Sequence, residues 1–442
     1  MNTRREILEK FEQQKEISEK RIAEGIEKYR KGDAKIIITN ENGAPVSDAK
    51  IKVVQKSHEF RFGANLFMLD EFETGEKNEK YREYFADVFN MATLPFYWKD
   101  VEPTPGNMRF SIDSEKIYRR PAIDLCIQYC KEHNIEPREH CLNYDYPAWV
   151  IDKPVPYVKE KLEERIRNLA ERYSEDIHCW EVTNETLLSL LDQKMSPFYR
   201  ERDYVEWSFK TAEKYLKKNQ LVINDATANI WSTAFNYDRS AYYMQIESEL
   251  KKATRIDAIG LQFHMFHKKE AEKEKTKFYY EPKHLYDVMD TYAEFNKPLH
   301  ITEVTIPSYS NDAEDEAIQA EIIEILYSIW FSHPNVEQII YWNLVDGYAA
   351  FAPQGDMTAG ENYFHGGLFR FDFSPKPAYF KLKKLIQEKW HSQANLITDK
   401  HGSAYFKGFY GQYELEIDLE GKIVKRIVEH SSKSNNEIKV EI

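Results

Sequence analysis

The chain has 442 residues and a formal net charge of −13, from 61 Lys and Arg against 74 Asp and Glu, a balance that disfavours nucleic acid and acidic membrane surfaces as partners. At that length it can bury one large core of roughly 250–350 residues with something small beside it. The N-terminal segment lacks the apolar centre of a leader peptide and no run of about 18 apolar residues occurs. The chain as written is therefore expected to be soluble and cytoplasmic, or secreted or periplasmic if a leader has been removed.

Residues 4–31 are mostly charged, with Ile7, Leu8, Phe11, Ile17, Ile22 and Ile26 at helical spacing, which predicts an amphipathic surface helix. The segments 34–40 and 50–56 read as strands around a turn containing Asn42, Gly43 and Pro45. The pattern then changes to strands alternating with helices. Strands are predicted at 59–66, 89–96, 136–143, 177–184, 220–225, 256–263, 298–304 and 336–342. Amphipathic helices are predicted at 114–133, 157–173, 202–218, 236–251, 282–295, 313–332 and 376–390. This repeat predicts an α/β chain folded as a (β/α)8 TIM barrel, whose chemistry belongs at the C-terminal ends of its strands. An open doubly wound sheet is the alternative, but no Gly-rich phosphate loop follows an early strand.

Strand texture returns at 404–409, 412–419, 422–429 and 437–442, separated by Gly411, by Glu420 with Gly421, and by the polar run 431–436. The two termini are expected to pair into one small β-sandwich. The predicted division is an N-terminal helix at 1–33, an accessory sandwich from 34–56 and 395–442, and a catalytic barrel at 57–394. Cys126, Cys130, Cys141 and Cys179 show neither a disulfide framework nor a zinc spacing, and are read as buried thiols.

Two of the barrel strands end in carboxylates. Residues 177–185, Ile-His-Cys-Trp-Glu-Val-Thr-Asn-Glu, deliver Glu185 to the rim of the fourth strand. Residues 299–307, Leu-His-Ile-Thr-Glu-Val-Thr-Ile-Pro, place Glu303 at the end of the seventh. A carboxylate pair on one barrel face is what glycosidic bond cleavage needs, one to protonate the leaving oxygen and one to attack the anomeric carbon or activate water. Aromatic residues make up 14% of the chain; most will pack helices on the sheet, but their faces also suit sugar rings.

The stretch Trp180-Glu181-Val182-Thr183-Asn184-Glu185 resembles the acid/base motif of glycoside hydrolase family 10, the xylanase family. Ile301-Thr302-Glu303-Val304 resembles its nucleophile motif. Ile223-Asn224-Asp225, the run Ile259-Gly260-Leu261-Gln262-Phe263-His264, Trp342 and Pro375-Lys376-Pro377-Ala378-Tyr379 follow in family order, so the resemblance spans most of 59–390. It implies a retaining double displacement on β-1,4-linked xylan or a related glycan, without metal or cofactor, with Glu185 as acid/base and Glu303 as nucleophile. It further implies that Asn184 bonds the sugar 2-hydroxyl, that His264 and Gln262 support Glu303, that His140 binds substrate, and that Trp342 lies under the −1 sugar.

The chain departs from the family where the family grips the −2 sugar. Tyr97 stands at the place of a lysine, with Lys99 nearby, and Tyr144-Asp145 replaces a Trp-His pair. Ala350 replaces a second tryptophan. Asp145 and Tyr97 are thus expected to read a different hydroxyl pattern or a decorated sugar, with Tyr144 among the substrate-binding residues. Two other classes stay open at this point. One is a carbohydrate-binding protein on an inactive barrel, and the other a metal-dependent hydrolase gathering His140, His264, Glu303 and Asp225.

Overall fold

The computed structural model describes residues 3–188, 195–231, 240–419 and 421–442. Its strands are β1 (Lys31–Thr39), β2 (Lys50–His58), β3 (Arg61–Asn65), β4 (Met91–Pro95), β5 (Glu136–His140), β6 (Cys179–Asn184), β7 (Gln220–Asp225), β8 (Ala258–Leu261), β9 (Phe263–His264), β10 (Leu299–Thr305), β11 (Val336–Tyr341), β12 (Gln393–Ile397), β13 (Ser403–Phe409), β14 (Gly411–Leu419), β15 (Lys422–His430) and β16 (Glu437–Glu441). Strands β3 to β8, β10 and β11 pair in parallel, and β11 returns to pair with β3, closing an eight-stranded barrel. The two-residue β9 continues β8 beyond Gln262, and both pieces pair with β10.

Closure leaves no open edge in the barrel. Strand β6 is buried at every position, as expected of a strand covered on both faces. The remaining strands form two sheets, ordered β13-β1-β16 and β12-β2-β14-β15. Ile36, Ile38, Ile51, Val53, Leu415 and Ile417 meet between them in a core of their own, which is the sandwich of both termini that the alternating patterns predict. All four cysteines are free and buried. Among the described residues no helix is long and apolar enough to cross a membrane.

Several elements differ from their predicted form. The N-terminal helix is broken into Thr3–Leu8, Glu9–Gln13 and Lys15–Tyr29, and β1 begins at once at Lys31. The helix Gly75–Val88, capped by the Thr74 side chain on the Lys77 N–H, buries only Tyr81, Phe85 and Val88. So thin an apolar stripe hides the helix from a periodicity reading. The helix predicted from 114 starts at Ile123, because Pro121 disfavours helical backbone at the residue before it, and 114–122 form a loop. Strand β12 is only five residues long and has no buried position, too short an alternation to register in the sequence. Residues 236–239 of a predicted helix and Glu420 of a predicted turn lie outside the described residues.

The helix Lys15–Tyr29 packs on Ala313–Ser332 at Gly25, where an added Cβ would come within 2.4 Å of the Ser332 carbonyl oxygen. Arg30 then fastens this helix to the bottom of the barrel, donating to the carbonyls of Phe331 and His333 at 2.5 Å and of Val336 at 2.6 Å. Burial draws this guanidinium down to about 10. Arg30→Ala strands three part-buried carbonyls and is expected to lower unfolding stability by about 3 kcal/mol, read as a fall in the urea midpoint; an unchanged midpoint would contradict the clamp.

Candidate active site

The ten residues given catalytic or substrate-binding roles in the sequence line one open cleft of about 780 Å³ at the C-terminal ends of the barrel strands. Its centre is the interruption between β8 and β9. There Gln262 leaves the ladder and points its amide inward, with Nε2 lying 3.1 Å from Asn184 Oδ1, 3.1 Å from Glu185 Oε1 and 3.0 Å from Glu303 Oε1. Two oxygens held by one nitrogen are no farther apart than the two bonds laid end to end, about 6.1 Å here.

Glu303, on β10, accepts three hydrogen bonds. Oε1 takes Gln262 Nε2 and Asn224 Nδ2, each at 3.0 Å, and Oε2 takes His264 Nε2 at 3.1 Å. Burial pulls His264 down to about 4, so its ring is neutral near pH 7 and has a single N–H. Nδ1 accepts from the Thr305 hydroxyl at 2.9 Å, which leaves the hydrogen on Nε2 to be donated to the carboxylate. The ring is held by stacking on Phe266, with centroids 4.5 Å apart.

Glu185 follows β6 with a left-handed φ of 54°, a conformation that costs energy for a side chain of this type. The turn is held by its surroundings. Asp225 Oδ2 accepts from the Thr186 hydroxyl and the Leu187 N–H, each at 3.3 Å, and the Tyr199 hydroxyl donates to the Glu185 carbonyl at 2.6 Å. Burial pushes Asp225 up to about 6. The Glu185 carboxyl receives the Tyr144 hydroxyl on Oε2 at 2.8 Å and Gln262 on Oε1.

Burial also pushes the Glu303 carboxyl up, to about 8; His140 and Arg138 oppose the rise, while the Glu181 and Glu185 charges add to it. Three N–H donors converge on Glu303 and oppose that rise by stabilising its carboxylate form.

Asn184 accepts from both Asn224 and Gln262 through Oδ1, which leaves its amide nitrogen for the cleft. His140 is bound by Glu181 on Nδ1 at 2.8 Å and by the Tyr97 hydroxyl on Nε2 at 3.0 Å. Burial works against the imidazolium, but the Glu181 charge and hydrogen bond outweigh it and hold His140 above its usual value. Arg138 lies against Glu181 in the buried barrel interior. Trp342, with Phe67 edge-on at 5.2 Å and His140 at 5.4 Å, makes the cleft floor. Asp145 pairs with Lys99 at 2.6 Å on the rim.

The set His140, His264, Glu303 and Asp225 does not come together as a cation site. Both His264 nitrogens are taken by Thr305 and Glu303, and Asp225 is spent on the turn after Glu185. His140, Cys141 and Glu181 do approach one another, but the Arg138 guanidinium occupies Glu181 and repels a cation.

Four residues without a role in the sequence reading belong to the site. Asn224 bridges Asn184 and Glu303 and is itself fixed by the Thr302 hydroxyl at 2.7 Å. Its position next to Asp225 was the only signal. Glu181 is visible in the motif but not as the partner of His140. Arg119 and Arg120 reach the cleft wall from the loop preceding Ile123; reading that loop as helix hides them.

The glycosyl hydrolase family 10 model matches residues 56–385. Over 417 residues the chain is 23% identical to the anti-sigma-I factor RsgI6 of Acetivibrio thermocellus, covering 90% of this chain and 46% of that protein. Over 416 residues it is 22% identical to endo-1,4-beta-xylanase 1 of Arabidopsis thaliana, covering 90% and 38%. The chain thus spans less than half the length of these relatives. The crystal structure of native xylanase 10B from Thermotoga maritima overlays 75% of this chain and 96% of its own at a TM-score of 0.57 and 20% identity. Xylanase 10B from Thermotoga petrophila in complex with xylobiose does so with 75% and 95% coverage, 0.57 and 20%, a likeness of fold. Because the family model covers well over half of the chain, the protein belongs to glycosyl hydrolase family 10.

Proposed function

We propose that the protein is a retaining glycoside hydrolase that cleaves β-1,4-xylosidic bonds in xylan or a decorated xylan, with a polysaccharide or oligosaccharide as its partner and residues 57–394 as its catalytic unit. The observation that carries this reading is the amide of Gln262 bonded to both Glu185 and Glu303. A pair bounded at about 6.1 Å between those oxygens suits direct attack on carbon, for which carboxyl groups stand about 5–5.5 Å apart. An inverting pair stands about 6.5–9.5 Å apart to admit a water.

In the first step a Glu303 oxygen bonds to the anomeric carbon while the glycosidic C–O bond breaks and the departing oxygen takes the proton of Glu185. Oε1 already accepts two N–H bonds and Oε2 one, so Oε2 has the freer lone pair. Esterification removes the Glu303 charge, and Glu185, now a carboxylate, takes a proton from the water that attacks the same carbon and releases Glu303. The free amide hydrogens of Asn184 are placed to bond the 2-hydroxyl, a contact that strengthens in the transition state.

A second reading keeps this mechanism on a different β-glycan. Tyr97 locked to His140, and Lys99 paired with Asp145, support it, since they stand where the family grips the next sugar. Sugar release from linear xylan, arabinoxylan, glucuronoxylan, β-glucan and arabinogalactan, with Glu303→Ala as blank, separates the two. Products from linear xylan favour the first reading, and silence there with release from another glycan favours the second.

Glu303→Ala is expected to lose turnover by on the order of 10⁴-fold or more with its fold intact. Substantial residual activity without an added nucleophile would remove its assigned role. For Glu185→Ala the loss should be about 10²–10⁴-fold on substrates with poor leaving groups and far smaller on the first step of activated aryl glycosides. Equal loss on both would remove the acid assignment.

A further inference from the structure

We propose that the glycon side of the cleft is walled off, so that the enzyme works from non-reducing chain ends and releases no more than two sugars per cut. The inference rests on the glycosidase reading above, which fixes the direction of the substrate. Glu185, on the β6 side, must face the leaving oxygen, and the −1 ring lies over Trp342 near His140 and Asn184. The non-reducing continuation of the chain must therefore leave over the ends of β3 and β4, past Phe67 and Tyr97.

That exit is filled. Arg119, 6% exposed, extends from the loop after β4 across the end of β3. It donates to the Tyr348 carbonyl and, at 2.9 Å, to Asn343 Oδ1, both on the loop after β11. Asn65, the last residue of β3, reaches the same Asn343 oxygen at 3.5 Å. Arg120 lies on the Tyr97 ring at 4.2 Å and on Phe67 at 5.4 Å, covering the aromatic faces on which a further sugar would rest. Its guanidinium is pinned by Asp100 Oδ2 at 2.6 Å and by the Arg119 carbonyl at 2.9 Å.

The next gap is closed in the same way. The Lys99 N–H donates to the Asp145 carbonyl at 3.0 Å and its ammonium meets the Asp145 carboxylate at 2.6 Å, joining the loops after β4 and β5. The bridging loop is itself clasped by Arg109, which donates to the carbonyls of Asp100 at 2.7 Å, Glu115 at 2.8 Å and Arg120 at 3.2 Å. The loops after β11, β4 and β5 are thus joined around this half of the mouth. A polymer passing through would have to strip a buried guanidinium of its acceptors, which is costly because the charge is left unpaired.

The test is the action pattern on xylohexaose labelled at its reducing end, run beside an aryl β-xyloside. The expected first labelled products are the pentamer and tetramer, with only xylose or xylobiose released unlabelled. Labelled trimer or shorter appearing before the tetramer accumulates would overturn the chain-end inference while leaving the glycosidase reading in place. Failure on both substrates would overturn the reading and the inference with it, and hydrolysis of the aryl glycoside alone would overturn the xylan assignment and the chain-end pattern together. Arg119→Ala should open the wall and bring labelled trimer into the early products. Should that variant fail to fold, the pattern of the unaltered protein still decides.

Discussion

The catalytic centre depends on a single amide. Gln262 Nε2 touches Asn184, Glu185 and Glu303, residues that arrive on strands far apart in the sequence and meet only because the barrel closes. It reaches them because the ladder is interrupted at that residue, so that the side chain enters the cleft instead of continuing the barrel layers. A donor shared between two carboxyl groups fixes their spacing without the cost of a third charge.

Beneath that amide lies a second, charged layer. Glu181, inside the barrel, would be raised by burial alone, but Arg138 and His140 outweigh burial and hold it below the usual carboxylate range. The result is an imidazole facing the cleft whose protonated form is favoured by Glu181, locked between Glu181 and Tyr97 and opposing the rise of the Glu303 carboxyl. Such an arrangement is conditional. Removing one member of a buried ion pair typically costs about 3–5 kcal/mol, so Arg138 and Glu181 serve the site only together. Backbone space is equally constrained. A Cβ on Gly260 would lie 2.4 Å from Asn224 Oδ1, so the absence of a side chain there is what lets Asn224 bridge Asn184 and Glu303.

The barrel and the acid pair were legible in the sequence because both rest on local signals. The alternation of short β-branched runs with amphipathic helices sets the fold, and Asn184-Glu185 and Glu303 each end such a run. Residues that act across the barrel gave no such signal. Asn224 looks like any buried asparagine until Thr302, Asn184 and Glu303 surround it, and Glu181 is one more acidic residue in a strand until Arg138 appears beside it. The loop carrying Arg119 and Arg120 was obscured because its mixed apolar and charged residues run directly into the helix that begins at Ile123. The helix Gly75–Val88 was obscured for the opposite reason, being too polar to register. Tertiary hydrogen bonds and loop paths, not strand or helix propensity, decide these positions.

The central claim is that Glu303 attacks carbon directly while Glu185 manages the proton, and stereochemistry reports on it most directly. NMR of the first product formed from an aryl β-xyloside or β-xylobioside, before mutarotation, distinguishes the two courses. The account predicts that the β anomer appears first and the α anomer grows in only as the sugar equilibrates. Initial release of the α anomer would mean a single displacement by water, and would contradict a nucleophilic Glu303.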